Sequence, residues 1–331
     1  MAKLRLGFDP YTYARISVMK GSLIKQQQWQ NLIKMGLNEI MRYLQDSGYK
    51  EEIGSLGVEK RDLAQLEMAL NNNLMKVFSK LKRISDENVQ IVLRVYLQRY
   101  DMLNFKSIIR GKMTGISKEE ILQIMIPSIN HSPEYYAELV EKDDIESILK
   151  AIPFELNLEK DAELFEVENA LDRAYYENLK SFSDKLGGQG KAFKEFIEAE
   201  LNTLNIKMIL RFKKEDQDEA EIKKYLIMPE KEIEQLLNHK ELKTVLHALK
   251  KMKLTTVDES DDGALNKVEI DLDTSLLRKE ALLMHQYPLT VNVILGFMFA
   301  KEIEVKNLKI LVKGKKLGLD EDYLQNLLAV A

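Results

Sequence analysis

The 331-residue chain has no cysteine, six prolines and fifteen glycines. Without cysteine there is no disulfide framework, no thiolate metal site and no cysteine nucleophile. So few prolines and glycines argue against a fold of short strands and tight turns, and the abundance of Leu, Lys, Glu and Ile favours long helices. No one sign of charge dominates: 49 basic residues against 53 acidic ones leave a net charge of −4, which gives no pointer to nucleic acid. A long apolar run is missing too. Leu282 to Ala300 is interrupted by His285, Gln286, Pro288 and Asn292, leaving about a dozen residues where a membrane span needs about 20. That segment reads as a buried helix. The first residues, Met1 to Asp9, lack a signal-peptide core, so a cytosolic location is expected.

Motifs of common chemistries are absent as well. There is no GxxxxGK[ST], no GxGxxG following a strand, no HExxH and no GxSxG. The four histidines, His131, His239, His247 and His285, have no metal-ligand spacing and read as surface or packing residues. No residue has the setting of a catalytic group, and no cofactor is expected.

What the chain does contain is a threefold repeat. Glu67-Met-Ala-Leu-Asn71, Glu168-Asn-Ala-Leu-Asp172 and Glu269-Ile-Asp-Leu-Asp273 follow one another at intervals of 101 residues. A second block follows each: Leu103-Asn104-Phe-Lys106 with Arg110 and Lys112, Leu204-Asn205-Ile-Lys207 with Arg211 and Lys213, and Lys306-Asn307-Leu-Lys309 with Lys313 and Lys315. From glutamate to asparagine the separation is 37, 37 and 38 residues. Two blocks held at one spacing in three copies indicate triplication, hence three like modules of about a hundred residues, a usual domain size.

Apolar residues recur at helical spacing through each module. In the first, Tyr11–Leu44 carries Ile16, Met19, Trp29, Leu32 and Ile40, and Asp62–Leu81 carries Leu66, Met68, Leu70 and Phe78. Asn88–Ile109 is expected to bury Ile91, Leu93, Tyr96, Leu97, Tyr100 and Ile108. The counterparts are Glu134–Ile152, Ala162–Leu186 and Gly190–Phe212, then Lys231–Met252, Leu272–Gln286 and Thr290–Val312. Pro127 and Pro229 mark corners where the next module starts, because proline pushes its predecessor out of the helix. The fold class is all-α, with three helical bundle modules spanning 1–113, 114–216 and 217–331.

The second block ends the third helix of each module. Lys106 and Arg110, Lys207 and Arg211, and Lys309 and Lys313 are four apart and share a face. Cations there oppose the helix dipole. Gly111 and Gly314 suit the left-handed residue that ends a helix, whereas Phe212 lets the second copy run on. Two readings of the basic residues stand side by side: helix termination, or a rim of Lys106, Arg110, Lys112, Lys207, Arg211, Lys213, Lys309, Lys313 and Lys315 that meets an acidic partner. Asn104, Asn205 and Asn307 are poor helix residues and are expected to bond neighbouring backbone and fix register. Glu67, Glu168 and Glu269 are expected to pair with basic side chains across the bundle.

Two loops have some of the features of ligand sites. Asp258-Glu-Ser-Asp-Asp-Gly263 through Glu269 fits the ligand spacing of a calcium-binding EF-hand loop. It has no second copy, its entering segment Leu254–Val257 is a poor helix, and Glu269 already belongs to the repeat. It reads as an acidic surface loop with no metal expected. Gly187-Gly188-Gln189-Gly190 reads as a helix-ending turn and restart, and resembles a phosphate nest only weakly because no Lys-Ser/Thr follows.

Against this background the chain resembles the C subunit of the A-type ATP synthases and their bacterial V-type relatives, which is similar to the d subunit of the eukaryotic V-type ATPase. The resemblance runs over essentially the whole chain. It rests on Tyr13-Ala14-Arg15, Tyr96 through Lys112, Glu168 with Leu171-Asp-Arg-Ala-Tyr-Tyr176, Asn205 through Arg211, Tyr287-Pro288, and Lys301-Glu-Ile-Glu-Val-Lys-Asn-Leu308 with Gly314-Lys315. Asn202 departs from the acidic residue usual at its position and puts a salt bridge there in doubt. The resemblance implies three helical modules about a pseudo-threefold axis, forming a funnel on the cytoplasmic face of the membrane. It implies a rotor component of the central stalk, peripheral to the membrane. Its partners would be the shaft subunits and the proteolipid ring, and it would couple proton or sodium flow to ATP synthesis or hydrolysis without doing chemistry itself. A triplicated helical adaptor unrelated to rotary ATPases is the competing reading.

Overall fold

The structure, a computed structural model, describes residues 10–56, 63–156, 158, 162–186, 190–258, 263–286 and 291–329. Among these the regular structure is helical, with no strand. In chain order the helices are α1 (Pro10–Gly21), α2 (Gln26–Lys34), α3 (Leu37–Gln45), α4 (Lys50–Gly54), α5 (Leu63–Ile84), α6 (Glu87–Thr114), α7 (Lys118–Gln123), α8 (Pro133–Glu141) and α9 (Ile145–Ala151). They continue as α10 (Leu164–Lys185), α11 (Lys191–Lys214), α12 (Glu219–Tyr225), α13 (Lys231–Glu234) with a 3-10 turn over Gln235–Asn238, α14 (Leu242–Lys251), α15 (Ala264–Gln286), α16 (Val291–Lys316) and α17 (Glu321–Leu327). The chain divides into two compact units. One is built on Leu44–Gly190; the other joins Gly7–Tyr43 to Lys191–Ala331.

In the first unit α6 is the spine. Asp86 starts it by accepting the Val89 amide at 3.0 Å, the usual N-cap arrangement. Its apolar residues then recur at three and four: Val89, Val92, Leu93, Tyr96, Leu97, Tyr100, Phe105, Ile108 and Ile109 are buried. α10 packs along this face. The Tyr175 hydroxyl crosses to the Tyr96 carbonyl at 2.9 Å. α5 and the short helices α7, α8 and α9 also pack on α6. Ile91 is not part of this core: it is 38 % exposed on the opposite side of α6, and Met68 of α5 is similarly exposed. An apolar residue one step off the stripe turns away from the core however well its type suits burial.

The second unit repeats the pattern. α11 packs against α15, with α12, α13 and α14 beside it. Their core joins Ile206, Ile209 and Leu210 of α11 to Leu236, Leu237, Val245 and Leu249 of the short helices and Val268 and Leu272 of α15. Burying each such side chain fully contributes about 1.5–3 kcal/mol. α15 also packs on α16, and α16 on α17 and α1. The apolar start of α16 is buried as expected, from Val291 through Val293 to Phe299, and no described helix is long and apolar enough to cross a membrane. The Tyr11–Leu44 stretch is three helices: Ser22 to Lys25 separates the first two and Met35-Gly36 the next. Residues 187–189 of the glycine turn and Tyr287-Pro288 of the resemblance lie outside the described residues.

Candidate functional site: a recurring joint at the ends of the long helices

α6, α11 and α16 end alike, for the same local reasons. In each a left-handed residue follows the helix: Gly115 (φ 71°), Asp216 (φ 54°) and Gly318 (φ 72°). The next amide turns back into the last turn: Ile116 to the Gly111 carbonyl at 2.9 Å, Gln217 to Phe212 at 3.0 Å, and Leu319 to Gly314 at 2.9 Å. This is the six-to-one bond of a Schellman ending. Gly111 and Gly314 are therefore not the terminating residues expected from the sequence: the Phe212 helix runs on to Lys214, and the other two likewise run past their glycines, to Thr114 and Lys316. The two glycines lie inside their helices for a different reason. A Cβ on Gly111 would sit 2.5 Å from Ile121 Cγ1, and one on Gly314 2.2 Å from Leu324 Cδ2. The glycines let the following short helix approach closely. In the second copy Phe212 stacks on Tyr225 instead, with ring centroids 5.3 Å apart.

The short helices start from capped residues: Ser117, Asp218 and Asp320 each accept an amide three residues on. Beyond them the chain is fixed by the repeated asparagine, as expected. Asn104 donates to the Ile126 carbonyl at 2.8 Å and accepts the Ile126 amide at 2.9 Å. Asn205 does the same to Ile227 at 2.8 and 2.9 Å, and Asn307 to Ala329 at 2.8 and 3.1 Å. Each side chain thus satisfies both polar groups of one peptide residue, a pair that is buried in the second and third copies and half-buried in the first.

The cations of the second block are engaged with the next repeat. Lys106 reaches Asp172 at 2.5 Å and Lys207 reaches Asp273 at 2.6 Å, both across 66 residues. Arg110 pairs with Glu168 at 2.6 Å, and Arg211 holds both oxygens of Glu269 at 2.8 Å, both across 58 residues. The expected pairing of Glu168 and Glu269 is thereby seen. Lys112 donates to the Lys142 carbonyl at 2.8 Å, and the buried Lys213 to the Leu237 carbonyl at 3.2 Å. In the third copy Lys309 is half-buried, Lys313 exposed and Lys315 half-buried. The aspartate partners do not emerge from the sequence reading. The available signal was the matched spacing: aspartate four after glutamate, and lysine four before arginine, in successive copies.

The two half-buried aspartates differ electrostatically. Burial pushes the Asp172 carboxyl up, and the single Lys106 only partly offsets it. Burial acts on Asp273 too, but Lys306 and Lys207 together outweigh it and hold that carboxyl below the usual range. Both lysines bond it directly.

A third set of equivalent positions lies one turn before the asparagines. Asp101, 1 % exposed, accepts from Ser128, from Asn130 at 2.8 Å and from the Tyr136 hydroxyl at 2.6 Å. Burial and then the Asp101 charge push the Tyr136 hydroxyl up. Asn202 donates to Glu230 at 3.0 Å, so a hydrogen bond stands where a salt bridge was in doubt. Glu304, 4 % exposed, pairs with Lys301 at 2.8 Å and accepts the Ile24 amide at 2.6 Å.

At the acidic loop, Asp258 is bonded by Lys250 and Glu269 by Arg211, so both outer positions of the EF-hand pattern are occupied by cations. Residues 259–262 lie outside the described residues, and no cluster of three metal-ligating side chains occurs among the described ones. His131 stacks on Tyr135 with centroids 4.2 Å apart, a packing role.

A helical chain that repeats one joint, with the recurring charges of the first two copies paired across it, is the class of protein these observations define. The family model of the ATP synthase (C/AC39) subunit matches residues 12–327, and the chain belongs to that family. It is similar to the A-type ATP synthase C subunit of Methanococcoides burtonii, with 30% identity over 335 residues covering 97% of this chain and 94% of the relative. The proteins of the same name from Archaeoglobus fulgidus and Methanocaldococcus jannaschii are each 28% identical, covering 97% and 99% of this chain and 96% and 88% of the relatives. Membership of this family sets aside the adaptor unrelated to rotary ATPases.

Proposed function

We propose that the chain is the non-catalytic central-stalk component of an A/V-type ATP synthase. In this reading it links the rotor shaft to the membrane proteolipid ring and transmits torque for ion-coupled ATP synthesis or hydrolysis. It is peripheral, on the cytoplasmic face, held there by protein partners, and it contributes no chemistry. Its body comprises three sequence modules, 1–113, 114–216 and 217–331. The observation that carries the reading is the joint itself. A part that passes torque must resist deformation between its modules, and here the recurring contacts from one module to the next are buried asparagine brackets and paired ion pairs. Networks of satisfied buried polar groups rigidify a core in this way. Family membership and the name shared by its relatives support the same assignment. Among the basic candidates, Lys106, Lys112, Lys207 and Lys213 are largely covered and bonded within the chain. Arg110 and Arg211, which stay exposed at the helix ends while paired to Glu168 and Glu269, and the exposed Lys313, are the ones proposed to meet acidic surfaces of neighbouring subunits.

The test is purification of the tagged chain from its host's membranes in mild detergent, with mass spectrometry of what accompanies it. Shaft subunits, proteolipid and catalytic heads in stable proportion establish the coupling role. A solitary protein, or one with unrelated partners, overturns it.

A further inference from the structure

The helical hairpin at the start of the chain has two internal counterparts. α2 and α3 begin after Lys25, α8 and α9 after Ser132, and α13 and α14 after Glu230. Their buried residues fall in register. Trp29, Leu32 and Ile33 of the first match Tyr136, Leu139 and Val140 of the second, and Ile233, Leu236 and Leu237 of the third. Later in each hairpin Met41, Ile148 and Val245 match, each twelve residues after the first buried residue of its hairpin. The places where they pack correspond too. α8 lies on α6 and α7, and α13 with its 3-10 turn lies on α11 and α12. α2 lies on α17, where Leu23, Ile24, Gln26 and Trp29 line a small cavity of about 150 Å³ with Ile303 and Glu304 of α16.

One difference separates the copies. α7 runs on into α8, and α12 into α13, within about ten residues, so those hairpins are tethered where they pack. The α2–α3 hairpin is joined to α16–α17 by no such link; the bond from Ile24 to Glu304 spans 280 residues of sequence. A short covalent tether supplies a high local concentration that a distant segment lacks. The position that grips the hairpin changes accordingly. Asp101 and the Asn202–Glu230 pair hold their hairpins through carboxylate bonds to neutral donors, and Glu304 holds the Ile24 amide in the same way, but Glu304 alone is also buried in an ion pair, with Lys301. Charge-assisted bonds of this kind are about twice as strong as neutral ones.

We propose that residues 10–34 form a detachable clasp. They close the α16–α17 groove through Glu304 and open from it as a unit while the tethered hairpins stay closed. Lys301 is a positioning residue that holds the Glu304 carboxylate toward Ile24.

Native-state hydrogen exchange on the full chain in rising denaturant tests this without any mutation. The amides of α2 are expected to exchange through an opening of their own, before those of α8 and α14. Exchange of all three hairpins through one shared opening overturns the proposal. Glu304→Gln is expected to lower protection in residues 24–34 about 10- to 100-fold, the worth of a charged hydrogen bond, and to leave α8 and α14 unchanged. Equal loss in all three hairpins would make Glu304 an ordinary core residue and the clasp wrong. These outcomes do not depend on the rotor assignment, which the purification experiment decides separately.

Discussion

Asn205 brackets Ile227: its amide donates to the Ile227 carbonyl at 2.8 Å and its carbonyl accepts the Ile227 amide at 2.9 Å, and both bonds are buried. The same bracket closes over a separation of 22 residues in each of the three copies. Helix propensity disfavours asparagine there, by up to about 0.7 kcal/mol relative to alanine. The cost of stranding two buried peptide groups is larger, about 1–3 kcal/mol for each. Asn205→Ala is therefore expected to destabilise by about 2–5 kcal/mol despite alanine's better propensity. Asn205→Asp keeps the acceptor but sets a buried carboxylate oxygen against the Ile227 carbonyl, so at neutral pH it should cost at least as much as alanine. Thermal unfolding of the variants beside the parent chain measures both. An alanine variant as stable as the parent would show that the bracket is not what fixes the corner.

Gly111 offers a second separation of effects. Alanine gains about 1 kcal/mol over glycine inside a helix, but its Cβ would lie 2.5 Å from Ile121 Cγ1. Overpacking of that kind costs about 1–3 kcal/mol, so Gly111→Ala is expected to be net destabilising. Combining it with Ile121→Ala should recover more stability than the sum of the single changes allows, because the second change removes the clash. Additive behaviour in this double-mutant cycle would contradict the close-approach role. Gly115→Ala is the control: nothing lies within 4 Å of its Cβ, but its φ of 71° disfavours alanine, and Ile121→Ala should not rescue it.

How much of this is legible in the sequence follows from which residues carry local signals. The helices and the all-α class are readable, since stripes such as Val92, Tyr96 and Ile108 depend only on helical pitch. The repeated asparagine is recognisable because it is costly in a helix and so needs a reason. The glycine role is not, because Gly111 and Gly115 have the same local chemistry, and only the position of Ile121 on a following helix tells close approach from a left-handed turn. The clasp is harder still. Ile24 and Glu304 are 280 residues apart, and no periodicity links them. Only the register of buried residues in three hairpins does so, after the structure has shown which hairpins are comparable.

The two half-buried aspartates, Asp172 and Asp273, predict opposite responses to acid. Asp273 is held below its unfolded pKa, so it contributes stability above the ordinary carboxylate range and loses it as pH falls through the depressed folded value. Asp172 is raised, so the folded state takes up its proton first, and its contribution becomes more favourable as pH falls from neutrality into that range. Asp273→Asn should therefore destabilise at neutral pH and progressively less at acid pH. Asp172→Asn should be the milder change at neutral pH. Carboxyl titration by NMR reads the order directly, and Asp273 titrating above Asp172 would refute it. Lys306→Met should move Asp273 upward, since it removes one of the two opposing charges.

The ion pairs at each joint should also rank by exposure. Lys207 and Asp273 are 17% and 15% exposed and are bonded at 2.6 Å, whereas the Arg211 side chain is 64% exposed. Exposed pairs are worth about 0–1 kcal/mol, while removing one partner of a buried pair costs about 3–5 kcal/mol because the other charge is stranded. Lys207→Met is thus expected to cost clearly more than Arg211→Met, with Lys306 keeping the loss short of the full buried-pair value. Added salt separates the cases further. It should shrink the Arg211 effect and leave that of Lys207 nearly intact, because screening acts on exposed charges. Denaturant unfolding of both variants at low and high salt makes the comparison. Equal losses with equal salt dependence would mean that the inner lysine is as solvated as the outer arginine, and that the joint depends on the asparagine bracket alone.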